Sequence, residues 1–147
     1  MIQKAINFKK DLNSHFSQAL TVGDFIFLSA QLPVDTATGA LVSDDFSEQV
    51  RQCFRNMKDL LQQCDLPLSY ILQTTVYMTD MEKLQELDEV YAEFLRDPLP
   101  TRTVCGVTSL PYGAMVQIEA YAIDSRSLEV LCANDEKDCD GPVCECR

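Results

Sequence analysis

Met115-Val116-Gln117-Ile118-Glu119-Ala120-Tyr121-Ala122-Ile123 alternates along its whole length, as a β-strand with two unlike faces must. Val116, Ile118, Ala120 and Ala122 fall on one side and suit a face packed under helices. Met115, Gln117, Glu119, Tyr121 and Ile123 fall on the other, which is too apolar to be left to water.

The helices that would cover the first face lie upstream. Phe46, Val50, Cys53, Phe54, Met57, Leu60, Leu61 and Cys64 recur at steps of three and four, one apolar stripe on a helix. Asp44 or Asp45 can cap it, Glu48 puts negative charge in its first turn, and Asp65-Leu66-Pro67 ends it. Asp80 caps a second helix carrying Met81, Leu84, Leu87, Val90, Tyr91, Phe94 and Leu95, and Asp97-Pro98-Leu99-Pro100 breaks it. Further strands are expected at Ala5 to Phe8, Ile71 to Met78 and Thr103 to Val107, with Pro33 to Ala40 as a loop. Ala19 to Val22 and Phe25 to Leu28 form a hairpin around Gly23-Asp24, glycine taking the positive-φ position.

The order β, ββ, α, β, α, ββ predicts an α+β fold, a two-layer sandwich with one mixed sheet covered on one face by two helices. No element remains for the other face, so a homo-oligomer packed sheet to sheet is expected.

At 147 residues and 46% hydrophobic content the chain is one globular unit. No apolar run reaches a membrane span, and Met1 to Phe8 lacks the apolar segment of a secretory signal. A cytoplasmic protein with seven reduced cysteines is the expectation, Cys53 and Cys64 serving as packing on the first helix. A net charge of −11 argues against a nucleic-acid partner, whose phosphates would be repelled.

Pro100-Thr101-Arg102-Thr103 stands just ahead of an apolar run, and Leu110-Pro111-Tyr112-Gly113-Ala114 turns into the last strand. An arginine at the mouth of a buried strand needs an anion, because desolvating a guanidinium is costly. Either an Asp or Glu of the same chain supplies it, or a ligand carboxylate does, held by the planar fork.

Several fragments together resemble the RidA/YjgF family, also called endoribonuclease L-PSP, over residues 1 to 124. They are Phe16-Ser17-Gln18-Ala19, Ser29-Ala30-Gln31, Gln49, Asn56, Asp80-Met81, Asp88-Glu89-Val90-Tyr91, Pro100-Thr101-Arg102-Thr103, Leu110-Pro111 and Ile118-Glu119. The resemblance implies a chorismate-mutase-like fold assembled as a homotrimer with clefts between subunits. It further implies hydrolysis of reactive 2-imino or enamine acids, of the 2-iminopropanoate type, to 2-keto acids and ammonia. By the same resemblance Arg102 clamps the small carboxylate substrate and Phe16 walls the cleft. Ser29 and Ala30 border it, and Asp88 and Glu119 belong to the binding residues. No cofactor and no metal are implied.

Where the family usually has glutamate, this chain has Gln117, whose amide can orient a water but cannot take its proton. Glu119 lies on the same strand face, about 6.5 Å further along. Phe16 lacks a tyrosine hydroxyl, Asp88 replaces the usual asparagine and Ala30 a glycine. Val104 stands where cysteine is common, with Cys105 facing the opposite side. Gln117 leaves open a trimeric binder of small carboxylates without turnover. The family's ribonuclease or translation-inhibitor label finds less support, since His15 is the single histidine and the chain is acidic. Residues 125 to 147 form an acidic extension outside the family core. Its Cys132, Cys139, Cys144 and Cys146 lack the paired spacing of a zinc module.

Overall fold

The computed structural model describes residues 3–8 and 15–126, so the cysteine-bearing extension and its four thiols lie outside the described residues. The strands are β1 (Gln3–Ile6), β2 (Ala19–Val22), β3 (Phe25–Gln31), β4 (Ile71–Met78), β5 (Thr101–Gly106) and β6 (Val116–Ile123). Helix α1 (Phe46–Gln62) lies between β3 and β4, and α2 (Leu84–Phe94) between β4 and β5. The strands form one sheet in the order β1-β2-β3-β6-β4-β5. Every pairing is antiparallel except β4 with β5, which run parallel because α2 carries the chain back across the sheet. This is the expected α+β sandwich with a mixed sheet.

β6 sits between β3 and β4, and its sidedness follows the sequence. Val116, Ile118, Ala120 and Ala122 are buried, while Tyr121 is exposed. Facing them, α1 buries Phe46, Val50, Cys53, Phe54, Met57, Leu60 and Leu61. Phe54 joins the two helices, stacked on Phe94 and edge-on to Tyr91, each 4.9 Å between ring centres. Such aromatic pairs add about 0.5–1.5 kcal/mol to the burial itself. At the start of α1, Asp45 rather than Asp44 is the cap, its carboxylate accepting from the Glu48 amide at 2.9 Å. At the end, Asp65 turns left-handed (φ 58°). The Leu66 amide then bonds back to the Leu61 carbonyl at 3.1 Å, and the Asp65 amide to Gln62 at 3.0 Å. Those crossed bonds satisfy carbonyls the helix would otherwise leave open. Cys64 therefore lies just past α1, half-buried against the core.

Four boundaries depart from the sequence expectation. β1 occupies Gln3–Ile6 instead of Ala5 to Phe8, because the side chain of Asn7 leaves the ladder to accept from the Gln18 amide at 2.8 Å. β3 continues past Leu28 to Gln31, through an irregularity in its pairing with β6. Asp80 caps a short 3₁₀ turn, Met81–Lys83, and α2 starts only at Leu84, so Met81 and Leu84 stay exposed. β5 begins at Thr101, directly after Pro100, so Arg102 lies inside the strand rather than ahead of it.

The second sheet face carries Phe27 and Tyr121, packed edge-on at 5.4 Å, and Phe25, which is 56% exposed. Among the described residues nothing in this chain covers them.

Candidate functional site

In the parallel register Arg102 is level with Thr74, and Thr74 is level with Ala120 of β6. Arg102 therefore sits on the helix side of the sheet, at its β5 edge. Two residues of α2 meet it there. Asp88 and Tyr91 are one helical turn apart and so share a face. Asp88 Oδ1 accepts from Arg102 Nη1 at 2.6 Å, and the guanidinium carbon lies 4.9 Å from the centre of the Tyr91 ring. Tyr91 is anchored in turn, its hydroxyl donating to Thr74 Oγ1 at 3.0 Å. Burial pushes its phenol up to about 12, only partly offset by the Thr74 bond and the nearby Arg102 charge. The ring is a fixed, neutral platform under a fixed cation.

The intramolecular partner foreseen for Arg102 thus exists, and it is Asp88. It occupies one arm of the fork. Nε and Nη2 make no hydrogen bond among the described residues, and the side chain remains 28% exposed. Beside it opens a cavity of ≈ 640 Å³ bordered by Asp88, Tyr91, Leu95, Arg96, Asp97 and Leu99.

Phe16, Ser29 and Ala30 gather elsewhere. Ser29 Oγ donates to the Ser17 carbonyl at 2.7 Å, and the Ser29 amide to Gln18 at 2.9 Å, tying β3 to the segment that carries Phe16. Phe16 is 59% exposed, and with Ala30, Gln18, Gln31, Asn56 and Tyr112 it lines a second cavity of ≈ 370 Å³. Its floor is braced by buried amides. Gln31 Nε2 donates to the Ser29 carbonyl at 2.7 Å, and Asn56 Nδ2 to the carbonyls of Leu32 and Val34 at 3.0 Å each.

Gln117 and Glu119 form a third group, on the open sheet face. Gln117 is level with Tyr77, and the Tyr77 hydroxyl donates to Glu119 Oε1 at 3.1 Å. Burial first, then that bond, raises the Tyr77 phenol above its ordinary value. Cys105 is level with Tyr77 on this face, while Val104 packs towards the core. His15 is exposed.

One chain therefore brings Arg102 together with Asp88, but not with the other site residues. β5 and β3 are three strand spacings apart, about 14 Å, and Gln117 lies on the face opposite Arg102. The spacing of Tyr91 marks it only as core. The i, i+3 pair Asp88 and Tyr91 was the available sign that one face of α2 serves the arginine.

The endoribonuclease L-PSP family model matches residues 9–124. A RutC family protein of Sinorhizobium fredii is 41% identical over 105 residues, 71% of this chain and 83% of its own length. Human 2-iminobutanoate/2-iminopropanoate deaminase is 32% identical over 108 residues, 74% of this chain and 79% of its own. Among solved structures, E. coli TdcF with bound serine superposes with a TM-score of 0.75 at 30% identity, covering 83% of this chain and 99% of that one.

Proposed function

Since this chain belongs to the endoribonuclease L-PSP family, the RidA/YjgF family, we propose that it hydrolyses 2-imino acids of the 2-iminopropanoate type to 2-keto acids. The observation that carries this is the half-used guanidinium of Arg102, stacked on Tyr91 beside a cavity with one edge of its fork unengaged. A carboxylate accepting from Nε and Nη2 in parallel would be held in position and in plane. The Tyr91 ring lies under the guanidinium and adds a contact of about 0.5–2 kcal/mol. Two relatives lend support: the human one is named an imine deaminase, and the solved TdcF holds serine, which carries a carboxylate.

The chemistry is a hydrolysis. Water adds to the C=N carbon of the protonated imine, R–C(=NH₂⁺)–COO⁻. Both protons of the added water pass in turn from oxygen to nitrogen as the C–N bond breaks, leaving R–CO–COO⁻ and ammonium. Holding the carboxylate fixes the electrophilic carbon next to it, so part of the acceleration is positional. Because Gln117 lies on the sheet face opposite its own chain's Arg102, the Gln117 that would orient the water through its side-chain carbonyl would be that of another copy. It takes no proton, so the nitrogen that must gain both is the natural acceptor.

A second copy of the chain would complete the site. The edge strand β5 carries Arg102, whereas Phe16, Ser29 and Ala30 lie by β3, too far across the sheet for one small imino acid to touch both. Packing of the exposed face of Phe25, Phe27 and Tyr121 against other copies, in a homotrimer, would bury apolar surface and set one chain's Arg102 near another's Phe16. A binder of small carboxylates without turnover is the second possibility, and Gln117 is what favours it.

One assay separates the two. 2-Iminopropanoate is generated by an amino-acid oxidase and its decay is followed with and without the protein. Acceleration is expected, and Arg102→Ala should lower kcat/KM roughly 100-fold, the worth of two charge-assisted hydrogen bonds. No acceleration, or acceleration indifferent to Arg102→Ala, refutes the proposal.

A further inference from the structure

We propose that the cavity walled by Phe8, Phe16 and Tyr112 receives an aromatic side chain, so that 2-imino acids of the 2-imino-3-phenylpropanoate type bind better than small ones. The proposal rests on Arg102 of another copy holding the carboxylate and concerns the opposite end of the ligand.

Pro111 to Ala114 turns the chain into β6, and the Ala114 amide closes the turn on the Pro111 carbonyl at 3.1 Å. Both central residues are left-handed, Tyr112 at φ 61° and Gly113 at φ 68°. Glycine adopts that conformation freely, and asparagine or aspartate is the usual residue ahead of it in such a turn. A tyrosine there is strained. No local bond offsets the strain, since the ring is 65% exposed and its hydroxyl makes no hydrogen bond among the described residues. The turn is also pinned from β6, where the Met115 amide donates to Gln49 Oε1 at 2.8 Å. A backbone fixed on both sides directs the ring, and the ring stands in the wall of the ≈ 370 Å³ cavity beside Phe16 and the half-buried Phe8.

The rest of the lining says which end of a ligand this cavity takes. Asp35 is its single charged residue, and Asp35 Oδ1 already accepts from the Ala37 and Thr38 amides at 2.7 and 2.9 Å. No lysine or arginine lines it to meet a carboxylate, whereas Leu32 and Val34 add apolar surface to the three rings. An organic acid anchored at Arg102 would therefore place its carbon skeleton, not its anion, among the aromatics. A void of roughly 150 Å³ is enough for benzene, so this cavity has room for a benzyl group. The methyl group of 2-iminopropanoate would leave most of it to water. A bound ring gains both from its own burial and from edge or offset contacts with Phe16 and Tyr112.

A Tyr112 that only packed against another copy would treat all small carboxylates alike. The experiment is calorimetric titration of the full chain with phenylpyruvate and with pyruvate, stable 2-keto acids that differ by one phenyl ring. Native protein should bind phenylpyruvate roughly tenfold or more tightly than pyruvate, as burial of an aromatic side chain requires. Tyr112→Gly removes the ring and suits the left-handed turn, so the variant should fold at least as well as the native chain. It should weaken phenylpyruvate roughly twofold to tenfold, the range of one aromatic contact, and leave pyruvate unchanged. Tyr112→Asn, with the residue usual at that place, should behave alike. Equal native affinity for the two acids, or a phenylpyruvate-to-pyruvate ratio that neither variant alters, overturns this proposal alone if binding still depends on Arg102. Binding of neither acid, or binding untouched by Arg102→Ala, overturns the anchor and this proposal with it.

Discussion

Replacing Tyr91 by phenylalanine separates what holds α2 to the sheet from what holds the guanidinium. The substitution deletes the hydroxyl that donates to Thr74 Oγ1 at 3.0 Å, in a place where both residues are buried. A neutral hydrogen bond contributes about 1 kcal/mol net, and leaving Thr74 without its donor adds desolvation cost, so a loss of about 1–2 kcal/mol is expected. For a chain of this size that lowers Tm by about 3–6 °C. The ring remains, and with it the stacking under Arg102 at 4.9 Å and the edge contact with Phe54 at 4.9 Å. KM for the imine should therefore stay as it was. Adding Thr74→Val should recover most of the stability, because removing both partners of a buried bond is close to neutral. Tyr91→Leu should do what Tyr91→Phe does not: raise KM, as Arg102 loses its platform. The assays are urea denaturation at one fixed protein concentration, since assembly as proposed would make apparent stability depend on concentration, and steady-state kinetics. If Tyr91→Phe raised KM as much as Tyr91→Leu, the hydroxyl and not the ring would serve the site. If Tyr91→Phe cost no stability, the Thr74 bond would contribute nothing.

Gln117→Glu should raise kcat for imine hydrolysis at least about tenfold, since a placed general base is typically worth 10²–10⁴; an unchanged kcat in steady-state assays would mean that the attacking water is not held at Gln117. Arg51 ties the helices together, bonding Glu48 on α1 and Glu93 on α2 at 2.7 Å each. The Arg51 bond holds the Glu93 carboxyl below its ordinary 4.5. Stability from a depressed carboxyl is present above the unfolded value and lost as pH falls through the folded one. Glu93→Gln should therefore be less stable than native at neutral pH, and denaturation curves should show the gap closing as pH drops below 4.5. Asp45→Ala removes the α1 cap and should cost about 1 kcal/mol, read by urea denaturation, while Asp44→Ala should cost nothing measurable.

The sandwich was legible because its signals are local and long. Seven apolar positions at helical spacing mark α1, and strict alternation marks β6 and tells its buried face from its open one. Boundaries were less legible where a side chain competes with the ladder, as Asn7 does at the end of β1. A 3₁₀ turn intervening after Asp80 likewise delays α2 by one turn. The site was legible by residue type and only partly by place. That Arg102 lies in β5 and faces α2 depends on its parallel register with β4, a non-local fact. Alternation within β6 puts Gln117 on the open face, but only the register through β4 shows that Arg102 is on the opposite one. Tyr91 carried no mark of its role, because a residue that packs the core with one edge and supports a cation with its face has the spacing of any core residue.

A crystal structure of the protein with pyruvate bound tests the anchor most directly. The account predicts both carboxylate oxygens on Nε and Nη2 of Arg102, over the Tyr91 ring, with Phe16 and Ser29 of another copy closing the cleft. Pyruvate bound elsewhere, with Arg102 held by Asp88 alone and its fork still empty, would contradict it.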